Sequence, residues 1–364
     1  MKIAITTDWL VTMGGAERVI EQMLEVWPEA ELFTTVCKQS EFPQAHTTFL
    51  QHQYNIIGSH RPLIFQMPRA VESWDLSNFD VILSSSHAVA KGCIPPSSAM
   101  HICYCHTPMR WAWEMEEQYL KDFKVPALLR PIVKRKMDKL RRWDLTTAKR
   151  VDLFIANSRT VQERIKRIYG RDSVVLHPPV DDRFFRNEEL RIKNEESYYL
   201  TVGRLVPYKR FDIPIEAANR MGFNLKVVGE GPEEKRLKKL AGPTVEMLGR
   251  VSEDKLLELY AGAKGFIFPT FEDAGIVPLE SQACGTPVIA YGKGGALDTV
   301  IDGKTGIFFK EQNADSLLDA INKFESIEFD PKALQEHATK FSSSNFRKKL
   351  EAIVTEYCVQ STRA

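Results

Sequence analysis

The sequence predicts an α/β protein made of two doubly wound parallel-sheet domains that face each other across a cleft. Short β-branched and aliphatic runs alternate with segments of helical periodicity along the whole chain, which is typical of parallel sheets covered by helices on both faces. A polar stretch without periodicity interrupts this alternation near the middle of the chain. The length of 364 residues also suits two domains.

Five candidate strands lie in each half of the chain. In the first half they cover residues 2–7, 31–36, 80–86, 100–106 and 153–158. In the second half they cover residues 198–204, 224–230, 245–250, 265–270 and 286–291. Apolar residues at helical spacing predict amphipathic helices at 213–222, 252–265 and 346–359. Ligands of such sheets bind at the carboxyl ends of the strands, so residues that directly follow a strand are the candidate site residues.

The domain boundary is predicted in the stretch HPPVDDRFFRNEELRIKNEES, which has two prolines followed by charged residues without periodicity. We assign residues 1–180 to a first domain, 181–195 to a linker and 196–343 to a second domain. The helical C-terminal segment, 344–364, is expected to pack back on the first domain.

Composition excludes several classes of protein. With 49 Lys and Arg against 48 Asp and Glu, nothing indicates a nucleic-acid partner. No apolar run approaches the roughly 18–20 residues of a membrane span, and the N-terminus does not resemble a signal peptide. The six cysteines are scattered, which predicts reduced thiols in a cytoplasmic protein. Cys103, Cys105 and His106 could also hold a metal, but their spacing favours reduced strand residues.

Residues 126–150 are predicted to form a basic amphipathic helix. Apolar residues alternate there with Lys134, Arg135, Lys136, Lys139, Arg141, Arg142, Lys149 and Arg150. Each cation near an anionic leaflet contributes about 1 kcal/mol, so this segment could hold the protein on the inner face of a membrane. The alternative is a solvated helix face whose apolar side packs on the core.

Cations and glycines follow two strands of the second half. Arg204 and Lys209 come directly after a strand, where fixed positive charge suits a phosphate group; a solvated surface pair is the alternative. Gly229 and Gly231 form a tight turn after the next strand and permit close approach of a ligand to the backbone. Taken singly, each of these features is weak evidence.

The stretch PTFEDAGIVPLE places Glu272 and Glu280 on either side of Gly275. Pro278 suits the first turn of a helix, which would put Glu280 in that turn. A carboxylate there either interacts with the helix dipole or accepts hydrogen bonds from both hydroxyls of a ribose. Glu272 would lie nearer the reacting end of the same ligand.

The first half offers a glycine pair and a histidine. Gly14 and Gly15 follow the first strand, where backbone amides can contact phosphate or sugar, and Glu17 is expected in the first helical turn. His106 ends a strand in CYCHTPMRWAWE and is expected to face the cleft. Trp111 and Trp113 either stack on sugar rings or pack in the core. Ser158 either caps a helix or faces the cleft.

Together, these motifs resemble the retaining glycosyltransferases of family 4, which have the GT-B fold of two Rossmann-like domains. The match in order and spacing covers roughly residues 196–310 and runs from GRL and Lys209 through GEGP and LGRVS to the two glutamates around Gly275. One departure is Ala274, where the family usually has Phe, and this smaller side chain is expected to widen the wall beside the donor sugar.

The resemblance assigns roles to individual residues. It implies that Arg204 and Lys209 hold the donor diphosphate, that Glu280 holds the ribose and that His106 and Glu272 contact the donor sugar. It further implies that other residues line the nucleotide-sugar site, namely Gly14, Gly15, Gly231, Val251, Gly275, Ile276 and Val277. No DxD motif is present, so a metal-independent reaction is expected.

The implied function is transfer of a hexose to a glycan or lipid-linked acceptor in polysaccharide biosynthesis. HTPMRWAW is similar to a subgroup of bacterial mannosyl- and related hexosyltransferases of surface-polysaccharide pathways, which makes GDP-mannose the first choice of donor and a UDP-hexose the second. Two alternatives stay open: a nucleotide-sugar epimerase of the same shape, and a non-catalytic nucleotide-sugar-binding protein. A dehydrogenase is disfavoured because the G-x-G-x-x-G fingerprint is missing.

Overall fold

A computed structural model describes residues 1–117, 120, 126–185 and 197–361. The chain divides into two compact units, each built on one six-stranded sheet. Unit 1 contains residues 1–177 together with the C-terminal segment from Phe346, and unit 2 contains Pro178–Asn345. The predicted α/β class with two doubly wound parallel sheets is confirmed.

The sheet of unit 1 is entirely parallel, with the strand order β2-β1-β3-β4-β5-β6. Its strands are β1 (Ile3–Thr7), β2 (Glu31–Thr34), β3 (Val81–Ser86), β4 (Met100–Cys105), β5 (Leu153–Ala156) and β6 (Ser173–Val175). The chain winds outward in one direction from β1 to β2 and in the other from β3 to β6. The topological switch point, where such sheets bind ligands, therefore lies between β1 and β3.

Helices cover the sheet of unit 1 because each carries an apolar stripe. They are α1 (Gly15–Val26), α2 (Leu50–Ile57), α3 (Met67–Val71), α4 (Arg110–Trp113), α5 (Arg130–Thr147) and α6 (Arg159–Tyr169). The C-terminal helix, Ser343–Ser361, buries Phe346, Leu350 and Val354 in the same core as residues of β1, β3 and β4. The periodicity of that segment is thus explained by packing within unit 1.

The sheet of unit 2 is also entirely parallel, with the strand order β12-β11-β10-β7-β8-β9. Its strands are β7 (Tyr199–Val202), β8 (Leu225–Val228), β9 (Val245–Gly249), β10 (Gly265–Phe268), β11 (Val288–Tyr291) and β12 (Gly306–Phe309). The winding direction reverses between β7 and β10, which makes the carboxyl ends of these two strands the switch point of unit 2.

The helices of unit 2 begin and end close to their sequence signals. They are α7 (Asp212–Met221), α8 (Glu234–Leu240), α9 (Glu253–Gly262), α10 (Ile276–Ala283), α11 (Ala296–Thr299), α12 (Ala314–Phe324) and α13 (Pro331–Thr339), and the C-terminal helix is α14. Ser252 caps α9 by accepting from the Lys255 amide, and Gly222 ends α7 in the left-handed conformation.

The structure departs from the sequence prediction in several elements. Strands β6 and β12 were not predicted, because SVV is short and GIFF lies in a glycine-rich segment without alternation. Met221, near the end of the amphipathic helix predicted at 213–222, is 44% exposed and so does not belong to the apolar face of α7. Residues 186–195 of the predicted linker, and residue 196 after it, lie outside the described residues. The turn Asp182–Phe185, also in that predicted linker, packs Phe184 against the ring of Tyr260 in unit 2.

Candidate functional site

Lys209 and Glu272 meet at the switch point of unit 2. Lys209 lies in the loop after β7, Glu272 lies in the loop after β10, and the ammonium and carboxylate are 2.7 Å apart. Burial lowers the pKa of Lys209, but the charge of Glu272 and its hydrogen bond outweigh burial and raise it. Thr270 Oγ1 donates to the Lys209 carbonyl at 3.0 Å and ties the two loops together. The site therefore holds a fixed, half-buried cation.

Glycines allow the loops after β7 and β8 to touch through their backbones. A Cβ on Gly229 would lie 1.9 Å from the Gly203 carbonyl oxygen, and one on Gly231 would lie 2.3 Å from the Leu205 carbonyl oxygen. Gly229 also has a φ of 138°, which side chains disfavour. The tight turn predicted at these glycines is present, and backbone crowding is its physical reason.

The bend between the two glutamates packs on a second glycine pair. Gly275 has a φ of 63°, and a Cβ there would lie 2.9 Å from the Gly295 carbonyl. The Gly295 amide donates to the Glu272 carbonyl at 2.8 Å, and a Cβ on Gly294 would lie 2.4 Å from the same oxygen. These contacts fix the backbone of Glu272.

The position of Glu280 corrects one prediction. Helix α10 begins at Ile276, two residues before Pro278, with Gly275 as its N-cap, and no acidic residue lies in its first turn. Because Gly275 adopts the left-handed conformation, the helix starts earlier than the proline predicts. The hydroxyl of Tyr260 contacts the Glu280 carboxylate at 3.3 Å. A dipole interaction in the first turn is therefore not the role of Glu280.

The remaining residues predicted for unit 2 differ in exposure. Arg204 is exposed in the loop after β7, on the same loop as Lys209. Val251, Ile276 and Val277 are half-buried, and Val251 and Val277 pack against the apolar core. The structure thus brings Lys209 and Glu272 into contact and leaves the Arg204 guanidinium exposed.

A buried carboxylate, missed by the sequence analysis, organises the switch point of unit 1. Asp8 directly follows β1, is fully buried and lies 3.0 Å from Nδ1 of His87, which directly follows β3. Burial raises the pKa of Asp8, but the charge and hydrogen bonds of His87 and the Ala90 amide lower it to about 2. Both residues directly follow predicted strands, and that shared position is the signal that could have identified them.

His106 lies at the end of β4, beside this pair. Its Nε2 is 2.8 Å from Ser85 Oγ, and its ring lies edge-on to that of His87 with centroids 6.2 Å apart. Burial, with a smaller effect from the charge of His87, lowers the pKa of His106 to about 3. The imidazole of His106 is therefore neutral at physiological pH.

Glu17 lies in the first turn of α1, as predicted, and folds back over the helix start. A Cβ on Gly14 would lie 3.1 Å from Glu17 Oε2, and Gly15 is the first residue of the helix. Burial raises the pKa of Glu17, against the opposing effect of the amide of Glu17 itself and the charge of His87.

The two tryptophans of the HTPMRWAW stretch pack against the apolar core of unit 1. Trp113 Nε1 donates to Asp144 Oδ2 at 2.8 Å, so its polar edge is used inside the unit. These contacts favour the packing alternative for Trp111 and Trp113. Ser158 caps α6 by accepting from the Val161 amide, which supports the capping alternative.

The basic segment forms a short helical turn at Ala127–Leu129 followed by α5. Its core side buries Met137 and Leu140. Leu128 and Ile132 are 88% and 56% exposed, and Leu129 is exposed beside them. One side of α5 thus packs on the core, whereas the apolar residues at and just before its N-terminal end are exposed.

Two features are absent from residues 1–117, 120, 126–185 and 197–361. No helix in those ranges is both long and apolar enough to cross a bilayer. No group of three or more His, Cys, Asp or Glu side chains in the same ranges is arranged to hold a metal ion.

Two protein families match consecutive parts of the chain. Residues 13–184 match the family described as Glycosyltransferase Family 4, and residues 182–341 match the family described as Glycosyl transferases group 1. The two matches together take in both units.

Curated relatives match about half of the chain. An uncharacterized glycosyltransferase of Methanocaldococcus jannaschii is 29% identical over 52% of this chain and 54% of its own length. A GDP-mannose-dependent alpha-(1-6)-phosphatidylinositol monomannoside mannosyltransferase of Mycolicibacterium smegmatis is 31% identical over 47% of this chain and 52% of its own length. The chain therefore spans about half the length of the curated relatives that it matches.

Solved structures match over nearly the whole chain. The structure of Anabaena HepE in complex with UDP superposes with a TM-score of 0.71 at 17% sequence identity. The match covers 98% of this chain and 100% of the HepE chain. Sucrose-phosphate synthase from Thermosynechococcus elongatus has a TM-score of 0.72 at 17% identity and covers 99% of this chain, again with its whole length covered. The protein thus has the two-domain GT-B fold and carries two glycosyltransferase domains, one of family 4 followed by one of group 1.

Proposed function

We propose that this protein is a retaining, metal-independent glycosyltransferase that moves a hexose, with mannose favoured, from a nucleotide-diphosphate sugar to a glycan or lipid-linked acceptor. The observation that carries the proposal is the half-buried Lys209 at the switch point of unit 2, with Arg204 exposed on the same loop. Phosphate groups bind at such a position in open α/β sheets.

The donor diphosphate would be held by charge. Lys209 is paired with Glu272 and its pKa is raised, so it keeps its proton at neutral pH. Arg204 adds a second cation on the same loop. Two cations beside the leaving diphosphate would stabilise the negative charge that develops on it. Glu280 would accept hydrogen bonds from the ribose hydroxyls.

The donor sugar would be oriented by His106 and Glu272. His106 is neutral, so it can donate or accept a hydrogen bond without placing charge beside the sugar carbon. The bond from the sugar carbon to the diphosphate breaks, and the acceptor oxygen attacks from the same face. The departing diphosphate takes the proton of the acceptor hydroxyl. Rate enhancement then comes from orientation and electrostatics.

Relatives support the choice of donor. The Mycolicibacterium smegmatis relative is described as GDP-mannose-dependent, which favours GDP-mannose. HepE has been crystallised with UDP-glucose, which keeps a UDP-hexose as the second choice.

The activity is tested by a thermal-shift screen of GDP-, UDP- and ADP-sugars followed by an assay of nucleotide release. A true donor stabilises the protein by mass action. The Arg204→Ala/Lys209→Ala double variant should lose that stabilisation and most of the release. The matched control is Lys235→Ala/Lys239→Ala, which removes two exposed lysines of α8. If the double variant keeps full activity, the proposal that Arg204 and Lys209 bind the diphosphate is wrong.

We also propose that the protein docks on the inner face of the plasma membrane through residues 126–150. The uncovered Leu128, Leu129 and Ile132 and the exposed cations Arg135 and Lys139 of α5 support this contact. Triple replacement of the apolar residues by serine should abolish sedimentation with phosphatidylglycerol vesicles. Leu145→Ser, at the other end of α5, is the control. Equal binding to phosphatidylcholine vesicles would count against the electrostatic part of the proposal.

A further inference from the structure

We infer that Asp8 and His87 form a hydroxyl-binding site for an uncharged sugar or polyol acceptor, in which His87 Nε2 donates a hydrogen bond to an acceptor oxygen. This inference rests on the proposed function and extends it, because it gives the acceptor a chemical class and assigns it to a pair of residues in unit 1.

The first support is the geometry of the pair. The Asp8 carboxylate accepts from four consecutive backbone amides, those of His87 at 2.6 Å, Ala88 at 3.0 Å, Val89 at 2.6 Å and Ala90 at 2.6 Å. It also lies 3.0 Å from His87 Nδ1. The ring of His87 is thereby fixed in one orientation, with Nδ1 turned toward the buried carboxylate.

The second support is the position of His87 Nε2, the ring nitrogen that does not face Asp8. The His87 side chain is 29% exposed, whereas Asp8 is fully buried behind it. No residue in the described ranges hydrogen-bonds His87 Nε2. The pair stands at the carboxyl ends of β1 and β3, the switch point of its sheet. If the Asp8 carboxylate served only to accept from the amides of residues 87–90, the His87 imidazole would not be needed between that carboxylate and solvent.

The charges around the ring decide which way its hydrogen bond points. The titratable groups facing His87 are Asp8, Glu17, His60 and His106. Burial lowers the pKa of His87, but the charge and hydrogen bond of Asp8, aided by Glu17, raise it above the ordinary value. His60 and His106 have pKa values lowered to about 4 and about 3, so they stay neutral. These charges stabilise the imidazolium form of His87, and in that form Nε2 donates a hydrogen bond.

The same charges define the acceptor. A protonated ring cannot remove the acceptor proton, so His87 is a binding and positioning residue, which agrees with transfer of that proton to the diphosphate. Asp8 and Glu17 offset the charge of the imidazolium and disfavour an anionic ligand at this point. The hydrogen-bond donor Nε2 of His87 lies close to a carboxylate, and this combination suits a hydroxyl group, which both accepts and donates hydrogen bonds. The Trp9 ring packs perpendicular to that of His87, with centroids 4.7 Å apart, and adds an apolar wall.

The test is an NMR titration of the full chain labelled with ¹⁵N-histidine. His87 should be doubly protonated at neutral pH, and Asp8→Asn should lower its pKa. Methyl α-mannoside should shift the His87 signal but not that of His46, which packs on Phe33 elsewhere in unit 1. Loss of one charged hydrogen bond predicts a saturation-transfer signal for the sugar at least about tenfold weaker in His87→Gln than in His46→Gln.

Three results would overturn the inference: an ordinary His87 pKa, a titration unchanged by Asp8→Asn, or an unchanged His87 signal at saturating methyl α-mannoside. A response to inorganic phosphate instead of the sugar would show that the site takes an anion and would also refute it. Binding of GDP or UDP, measured separately by thermal shift, should survive His87→Gln. If the nucleotides fail to bind the unmodified protein, the proposed function fails, while the histidine titration still stands on its own.

Discussion

Replacing Lys91 by methionine removes the cation from a buried ion pair inside unit 1. Lys91 is 2% exposed, and its Nζ lies 2.6 Å from Asp144 Oδ1. The ammonium also donates to the Asp144 carbonyl at 3.0 Å and to Thr147 Oγ1 at 3.2 Å, and it lies 4.9 Å from the centroid of the Tyr169 ring. Methionine fills nearly the same volume but leaves the Asp144 carboxylate without a counter-charge.

The expected loss can be bounded from the chemistry of a carboxyl group. Breaking a buried pair by removing one partner costs about 3–5 kcal/mol. The variant can escape part of this cost by protonating the carboxylate, which for an ordinary pKa of about 3.9 costs about 4 kcal/mol at pH 7 and about 1.5 kcal/mol at pH 5. We therefore expect unit 1 of Lys91→Met to lose about 4 kcal/mol at pH 7 and much less at pH 5.

The assay is urea unfolding followed by tryptophan fluorescence. All 6 tryptophans lie in the first 143 residues, so their fluorescence reports the unfolding of unit 1 alone. The control is Lys139→Met, an exposed lysine of α5, the helix that carries Asp144, and it should change stability by less than about 0.5 kcal/mol. The Lys91→Met/Asp144→Asn double variant should recover most of the loss. A loss that is small, or that does not shrink as the pH falls, would refute the reasoning.

Three further predictions concern local features. Gly275→Ala should destabilise unit 2 by about 1–3 kcal/mol, seen by circular dichroism, because its φ is positive and Gly295 blocks a Cβ; an unchanged melting curve would contradict this. Ser158→Ala should cost about 1 kcal/mol in urea unfolding, since the Val161 amide loses its cap, whereas a threonine there should cost little. Burial lowers the pKa of His101 to about 4 in the folded protein. Between the ordinary value of about 6.5 and this value the unfolded chain binds more protons, so the free energy of unfolding decreases as the pH is lowered. His101→Gln should remove about 2 kcal/mol of that fall between pH 7 and pH 5, and an identical pH profile would refute it.

The sequence predicted the features that depend on neighbouring residues. Capping was one of the two alternatives for Ser158, and the helix predicted at 252–265 starts with Ser252; both serines accept a hydrogen bond from the amide three residues later. Every predicted strand is present, although each is shorter at one or both ends. The start of α10 was wrong because a left-handed glycine, not the proline, sets it.

What the sequence determined by itself is the class of each segment and the residues that stand at strand ends. Periodicity, caps and glycine turns are local, so they can be read in order, and they were enough to single out Arg204, Lys209, Glu272 and Glu280. Only the tertiary structure decided which strand ends meet. Asp8 and His87 are 79 residues apart, and Lys209 and Glu272 are also distant along the chain. Strand order brings each pair together, because pairing between parallel strands depends on how the whole sheet packs rather than on any nearby residue.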